Sequence, residues 1–516
     1  MKIMYFMDNN QILGGAAHTL LRQAELMKNV GHEVLIVLDF VTDRRNEAYE
    51  AFCVQRHMEM LYMPLHVVNQ PEDIDIFFLL EHFEDTRLKI AEKKPDILHS
   101  VQINPLVELA GRELGIPHVM NIYPAVPDFF KLNYIDIFPR YHICDSQYYA
   151  DIWAKYFGTE SVCIRTVADR VEKKINHLKA GNVINCICVG AVYQKKNQLA
   201  VIMACHKALQ KGIFLRLHIY GNYAENSYGA ECADYIRRNN LSGNIELKGF
   251  CNDMLKVYEE SNVLLCGSTR ESYPNAISEA LSSGLIVIST PVAGVPEVIR
   301  NRENGYLCEG YEPDDLYDKI MELDRDMKSG KIYEIMHNAG ETYEKVHSPE
   351  SVSNKLQKYY QWLTDNFKGK KKVSVEELKF KFAGIFDLYF RNEVVFSDKI
   401  KIRKKLWYLY HIQDKIKKHI DENRSFYIWG TGKYGKSVYE LTAVFFADMK
   451  VVGFLDSYKS GSYIERPVYA PGMVLDKKSN IILVATVNGQ SEILKQLVMH
   501  NKKYLEDYFL LAPRYW

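Results

Sequence analysis

Two glutamates eight residues apart, Glu271 and Glu279, lie in the stretch Glu271-Ser272-Tyr273-Pro274-Asn275-Ala276-Ile277-Ser278-Glu279. Each carboxylate can accept hydrogen bonds from a vicinal diol, at roughly 1.5–3 kcal/mol per bond to a charged group. Pro274 followed by Asn275 marks the start of a short helix that ends at Gly284 and carries Glu279. The free amides at its start point at anything anionic, a diphosphate above all. Upstream, Val263-Leu264-Leu265-Cys266 is an unbroken apolar run of the buried-strand kind. Glu271 then falls on the loop at that strand's carboxyl end, where open α/β sheets place their ligands. Diol acceptors and an anion site on one turn describe a grip for a nucleotide sugar.

The elements that must position this turn repeat along the chain. In residues 1–168, strand-like runs (Ile3 to Met7, Glu33 to Leu38, Ile97-Leu98, Pro117 to Ile122) alternate with helical ones such as His18 to Asn29. A second cycle over 169–347 opens at Val183 to Val189. It continues through a helix at Gln198 to Gln210 and a strand at Leu215 to Tyr220 into the two-glutamate turn. Two doubly wound α/β domains follow, with the active cleft between them. Residues 348–424 read as a helix, Ser348 to Asp365, and a basic helical connector. Within it, residues 368–419 interleave an excess of Lys and Arg with Phe, Tyr and Trp. That composition fits either a solvated connector or peripheral contact with an anionic membrane surface.

Residues 425–516 form a small third α/β unit of Rossmann type. Its strand Phe426 to Trp429 runs into Gly430, Gly432 and Gly435 in G-x-G-x-x-G spacing, and the next strand, Val451 to Leu455, ends at Asp456. At this length it is a half-size unit for one nucleotide or nucleotide sugar, or a packing module.

Composition excludes other classes. Of 516 residues, Lys plus Arg and Asp plus Glu are both 65, so no global field recruits nucleic acid. Ten cysteines are scattered without a CxxC pair, as expected of reduced thiols in a cytoplasmic protein, and Cys186 and Cys188 read as core packing on one strand face. Met1 to Asp8 does not make a signal peptide, and no apolar run is long enough to cross a bilayer. Asp73-Ile74-Asp75 mimics a metal-binding DxD but precedes a helix-like run, so it reads as solvated and no metal is expected.

The run from Gly249 to Leu307 resembles the donor half of the large retaining glycosyltransferase family 4. The resemblance rests on Gly249-Phe250, the E-x7-E element, Gly284, Ser289-Thr290-Pro291, Gly294-Val295-Pro296-Glu297 and Asn304-Gly305-Tyr306-Leu307. It implies a GT-B fold of two facing Rossmann-like domains, a nucleoside diphosphate sugar donor with no cofactor, and a final helix crossing back to the first domain. It also implies roles. Glu279 would hold the ribose and Glu271 the sugar hydroxyls; Lys196, or its neighbour Lys195, would neutralise the leaving diphosphate. Gly14, Gly15, Gly190, Tyr273, Pro274, Asn275 and Ala276 would line the donor site, with Phe250 near the base. His99 matches a recurrent family histidine, or else is a structural one.

Two positions depart from the family pattern. Ala191 stands where an arginine usually follows the glycine, and Tyr123 where a histidine often reaches the donor sugar. Arg270 is the nearest substitute for the missing arginine. A hexosyltransferase of bacterial surface-glycan, glycolipid or glycoprotein assembly is the leading expectation. The alternative is a catalytically weakened accessory protein that binds glycan or partners a true transferase. The base, sugar, acceptor and oligomeric state, a homo-oligomer included, stay open in the sequence.

Overall fold

The structure is a computed structural model of the chain, and it describes residues 1–8, 15–39, 47–67, 76–122, 139–171, 178, 181–223, 227–368, 415–486, 490–503 and 506–511. These fall into two compact units, one holding two sheets and the other a third.

The first sheet has seven strands: β1 (Lys2–Phe6), β2 (Glu33–Asp39), β3 (Glu59–Met63), β4 (Ile97–Val101), β5 (His118–Asn121), β6 (Tyr141–Cys144) and β7 (Glu160–Cys163). They are all parallel, in the order β3-β2-β1-β4-β5-β6-β7. The second has six: β8 (Ile184–Val189), β9 (Leu215–Tyr220), β10 (Ile245–Gly249), β11 (Val263–Cys266), β12 (Ile286–Ser289) and β13 (Tyr306–Leu307). Its order, β10-β9-β8-β11-β12-β13, is again parallel throughout. Strands buried on both faces must be apolar along their whole length, which is why β11 and β12 read as VLLC and IVIS and are buried at every position. Each order reverses once, between β1 and β4 and between β8 and β11, and the crevice at such a reversal is where a doubly wound sheet binds ligands.

The Pro349–Asn366 helix returns to the first sheet. Val352, Leu356, Tyr360 and Leu363 form one stripe at helical spacing, packed into the core that holds Ile3, Tyr5 and Ile36. At its centre the Tyr360 hydroxyl lies 3.1 Å from that of Tyr5. Cys186 and Cys188 share a core with Leu217 and Ile219.

The third sheet, β14 (Ser425–Trp429), β15 (Val451–Leu455), β16 (Gly461–Tyr463), β17 (Arg466–Tyr469), β18 (Asn480–Val484) and β19 (Tyr508–Leu510), runs in the order β16-β17-β15-β14-β18-β19 with only the β16–β17 pair antiparallel. In its glycine turn, Gly430 has φ +128°, and a Cβ on Gly435 would stand 2.0 Å from the Gly430 carbonyl oxygen. These two glycines let strand and helix pack closely.

Two buried histidines give the first unit a pH dependence. His99 Nε2–H donates to Asn121 Oδ1 (2.9 Å) and Nδ1 accepts from the Tyr360 hydroxyl (2.6 Å). His347 Nδ1–H donates to the Thr166 carbonyl (2.8 Å) and Nε2 accepts from the Tyr273 hydroxyl (2.9 Å). Burial outweighs the hydrogen bonds and lowers each pKa from 6.5 to about 3. The unfolded chain therefore binds two protons that the native state refuses. Stability that is present above pH 6.5 is lost as pH falls from 6.5 toward 3, by up to about 1.4 kcal/mol per pH unit for each histidine. Asp145, whose pKa burial raises to about 7, acts in the opposite sense and offsets part of this slope. Urea unfolding of wild type and His347→Gln at pH 7.5, 6 and 5 should therefore differ by a stability gap that changes with pH; a gap constant with pH would refute the assignment.

Candidate functional site

The strand ends at the β8/β11 reversal build the site. β8 runs into Gly190, whose φ of +136° turns the chain, and a short 3-10 turn, Gln194–Lys196, follows. That φ disfavours any residue with a Cβ, and a Cβ there would also press on Lys196, 3.2 Å from Cε and 3.4 Å from Nζ. The lysine side chain thus folds back along the strand end. Lys196 Nζ meets Glu271 Oε1 at 2.6 Å, with both side chains about four-fifths buried. Burial works against the ammonium, yet the Glu271 charge prevails and raises the lysine pKa above its ordinary value. Charge and a hydrogen bond together hold this pair.

From Glu271 the chain passes through Pro274 into the Asn275–Ser282 helix, whose first turn no side chain caps. Its leading amides and positive dipole end face the same cleft. One turn on, Glu279 Oε2 accepts from the Tyr258 hydroxyl at 2.5 Å. Burial raises the Glu279 pKa, and the Tyr258 bond opposes the rise. The cleft has a volume of about 440 Å³, lined by Gly190, Lys196, Glu271, Pro274, Asn275, Ala276 and Glu279 from the second sheet's side and by Gly15, Ala16 and Asp145 from the first. A Cβ on Gly15 would stand 3.2 Å from Asn275 Nδ2, so the two walls meet closely there.

The lobes are joined beside the cleft by Glu297. Its two carboxylate oxygens accept from the backbone amides of Gln147 and Tyr148, both at 2.8 Å, at the start of the Gln147–Phe157 helix. The Arg165 guanidinium pairs with the same carboxylate, donates to the Asp145 carbonyl at 2.8 Å and lies 4.8 Å over the Tyr273 ring. Gly294 permits this approach, since a Cβ there would fall 2.5 Å from Ser146 Cβ.

Several other candidates stand elsewhere. His99 lies in the first sheet's core with both ring nitrogens engaged, and it does not line the cleft. Lys195 is exposed, its Nζ 5.0 Å from the Tyr193 ring centroid, while its carbonyl anchors the Thr269 amide at 2.8 Å. Arg270 is exposed and does not take the place vacated at Ala191. Tyr273 lines the cleft with its ring stacked on His347. Phe250 is 66% exposed past β10, outside the cleft lining. Asp456 is held within its own turn: its Oδ2 accepts from the Thr431 hydroxyl (2.5 Å) and Oδ1 from the Tyr458 and Lys459 amides. Gly14, Tyr123 and Asp73-Ile74-Asp75 lie outside the described residues, as does nearly all of 368–419. Among the described residues no cluster of His, Cys, Asp and Glu could hold a metal ion, and no helix is long and apolar enough to cross a membrane.

Asp145 and the Glu297 clamp were not singled out by sequence reasoning. Asp145 follows the apolar strand Tyr141–Cys144, and the strand-end rule that locates Glu271 locates it equally well.

Residues 184–326 match the family described as glycosyl transferases group 1. The N-acetyl-alpha-D-glucosaminyl L-malate synthase of Bacillus anthracis is 29% identical over 140 residues, covering 26% of this chain and 35% of that protein. The poly(ribitol-phosphate) alpha-N-acetylglucosaminyltransferase of Staphylococcus aureus is 29% identical over 124 residues, 24% of each chain. The matched segments thus span about a third or less of these relatives' lengths. Anabaena HepE, solved in complex with UDP, superposes with a TM-score of 0.56 at 18% identity over 70% of this chain and all of its own. That likeness shows the fold: the first two sheets are the facing Rossmann-like domains of GT-B architecture, followed by a third α/β sheet.

Proposed function

We propose that the protein is a retaining, metal-independent glycosyltransferase of family 4 type. It moves a hexose-type sugar from a nucleoside diphosphate sugar to an acceptor in bacterial surface polysaccharide, glycolipid or glycoprotein assembly. The observation that carries this reading is the 2.6 Å contact between Lys196 and Glu271 beside an uncapped helix start, in the cleft at a sheet reversal. The group 1 match over the same segment and the poly(ribitol-phosphate) alpha-N-acetylglucosaminyltransferase among the relatives support it.

In this reading the helix amides near Asn275 and the Lys196 ammonium take the diphosphate, and Glu271 takes the sugar hydroxyls. Glu279 holds the ribose through the oxygen that Tyr258 leaves free. Breaking the glycosidic bond builds negative charge on the β-phosphate, so a cation fixed there favours the transition state over bound substrate. The departing phosphate then takes the acceptor proton on the same face, and no separate base is required. On the third sheet, a nucleotide would approach Gly432, where an added Cβ meets nothing within 4 Å.

The full chain should hydrolyse or transfer from at least one nucleotide sugar in a panel of UDP, GDP and ADP derivatives. One observation favours a second reading, a catalytically weakened accessory protein: among the described residues Lys196 is the sole cation lining the cleft. Nucleotide binding by calorimetry without turnover on any donor and acceptor would select that second reading.

A further inference from the structure

We propose that Asp145 is a specificity-determining residue contributed by the first lobe, its carboxylate accepting a hydroxyl of the donor's sugar opposite Glu271. The proposal rests on the nucleotide-sugar reading of the cleft and adds a sugar contact that the two-glutamate element does not supply.

Asp145 follows β6 directly, is 6% exposed, and lines the cleft together with Lys196 and Glu271. Its backbone is fixed, because its carbonyl accepts from Arg165. Its carboxylate accepts from the hydroxyl of Ser272, the residue next to Glu271, and from its own backbone amide. The Arg165 guanidinium is committed to the Glu297 carboxylate and the Asp145 carbonyl. A buried carboxylate is costly unless donors surround it, and ligand hydroxyls can be those donors. The group is also perturbed: burial raises its pKa to about 7 against the Ser272 bond and the Arg165 charge, and the Glu271 charge adds to the rise.

Charge sorts which part of the ligand it meets. A carboxylate repels phosphate, and the diphosphate already has Lys196 and the helix amides on the second lobe. What remains beside Glu271, one residue from Ser272, is the uncharged polyhydroxyl part of the donor. Two carboxylates, one from each lobe and tied through Ser272, then address the same sugar. This arrangement discriminates strongly, because a site built to receive a hydroxyl rejects an epimer that leaves the buried acceptor unpaired.

The test compares the full-length wild type with Asp145→Asn and Asp145→Ala. Calorimetry measures binding of the free nucleoside diphosphate and of the nucleotide sugar that the wild type binds best. Asp145→Asn is expected to keep nucleoside diphosphate affinity within twofold while weakening the nucleotide sugar about tenfold or more. Asp145→Ala should show the same split. Parallel loss of both affinities together with a lowered melting temperature would make Asp145 a purely structural member of the lobe seam and overturn the proposal. Unchanged binding of both would overturn it too. So would intact nucleotide-sugar binding and hydrolysis with loss of transfer alone, since the carboxylate would then serve the acceptor. A wild type that binds none of the nucleotides fails the nucleotide-sugar reading itself, and the Asp145 proposal falls with it.

Discussion

Replacing Lys196 with alanine is expected to lower the turnover number for sugar transfer by about 100-fold or more, the scale seen when a preorganised electrostatic partner of a developing charge is removed. In bound substrate the β-phosphate charge lies on its non-bridging oxygens; as the bond from the sugar carbon to the phosphate oxygen breaks, its electron pair adds charge to the leaving group, and the ammonium's attraction grows with it. Lys196 suits this task because Glu271 at 2.6 Å keeps it charged despite burial, and because Gly190 leaves room for its Cε and Nζ. Among the described residues no second cation of the cleft can take its place. Steady-state kinetics should show the loss mainly in kcat, with a smaller rise in donor KM. A kcat within threefold of wild type would remove Lys196 from the mechanism.

Glu297→Ala is expected to destabilise the first unit by about 1–2 kcal/mol, less than for a fully buried pair because Glu297 itself is exposed to solvent while Arg165 is not. The carboxylate faces three donors at once: the Arg165 guanidinium and the Gln147 and Tyr148 amides. Its loss strands a guanidinium that is only 8% exposed and uncovers a helix start, where a carboxylate also offsets the macrodipole. Glu297→Gln should fall between wild type and alanine, since the amide keeps one acceptor oxygen but no charge. Urea unfolding checks this; a difference below about 0.5 kcal/mol for Glu297→Ala would mean that the lobes are held by other contacts.

Much of this architecture was legible as pattern. Strands buried on both faces announce themselves by unbroken apolar runs, so Leu215–Tyr220 and Val263–Cys266 are found at their observed ends, and the Gln198–Gln210 helix likewise. The first helix begins at Gly15 rather than His18, because the small residues Gly15-Ala16-Ala17 carry little amphipathic signal even though Ala17 is buried. Residues of the second lobe's turn were legible because their order along the chain mirrors their order in space. His99 was ambiguous for the opposite reason: what fixes it is Tyr360, 261 residues away. The Glu297 clamp and the Asp145–Ser272 bond join positions 127 to 150 apart, and local periodicity carries no information at that range. The commitment of Asp456 to its own turn was hidden too, since a ribose-binding acid and an Asx-type turn acid share one spacing.

The contact between Lys196 and Glu271 also bears on how a spent ligand leaves. A nucleoside diphosphate without its sugar asks the lysine to abandon the carboxylate and gives that carboxylate no hydroxyl in return. The intact donor settles both partners, whereas the residue of the reaction settles one and strands the other. In the proposed reaction, reunion of the two side chains would favour exchange of used nucleotide for fresh donor.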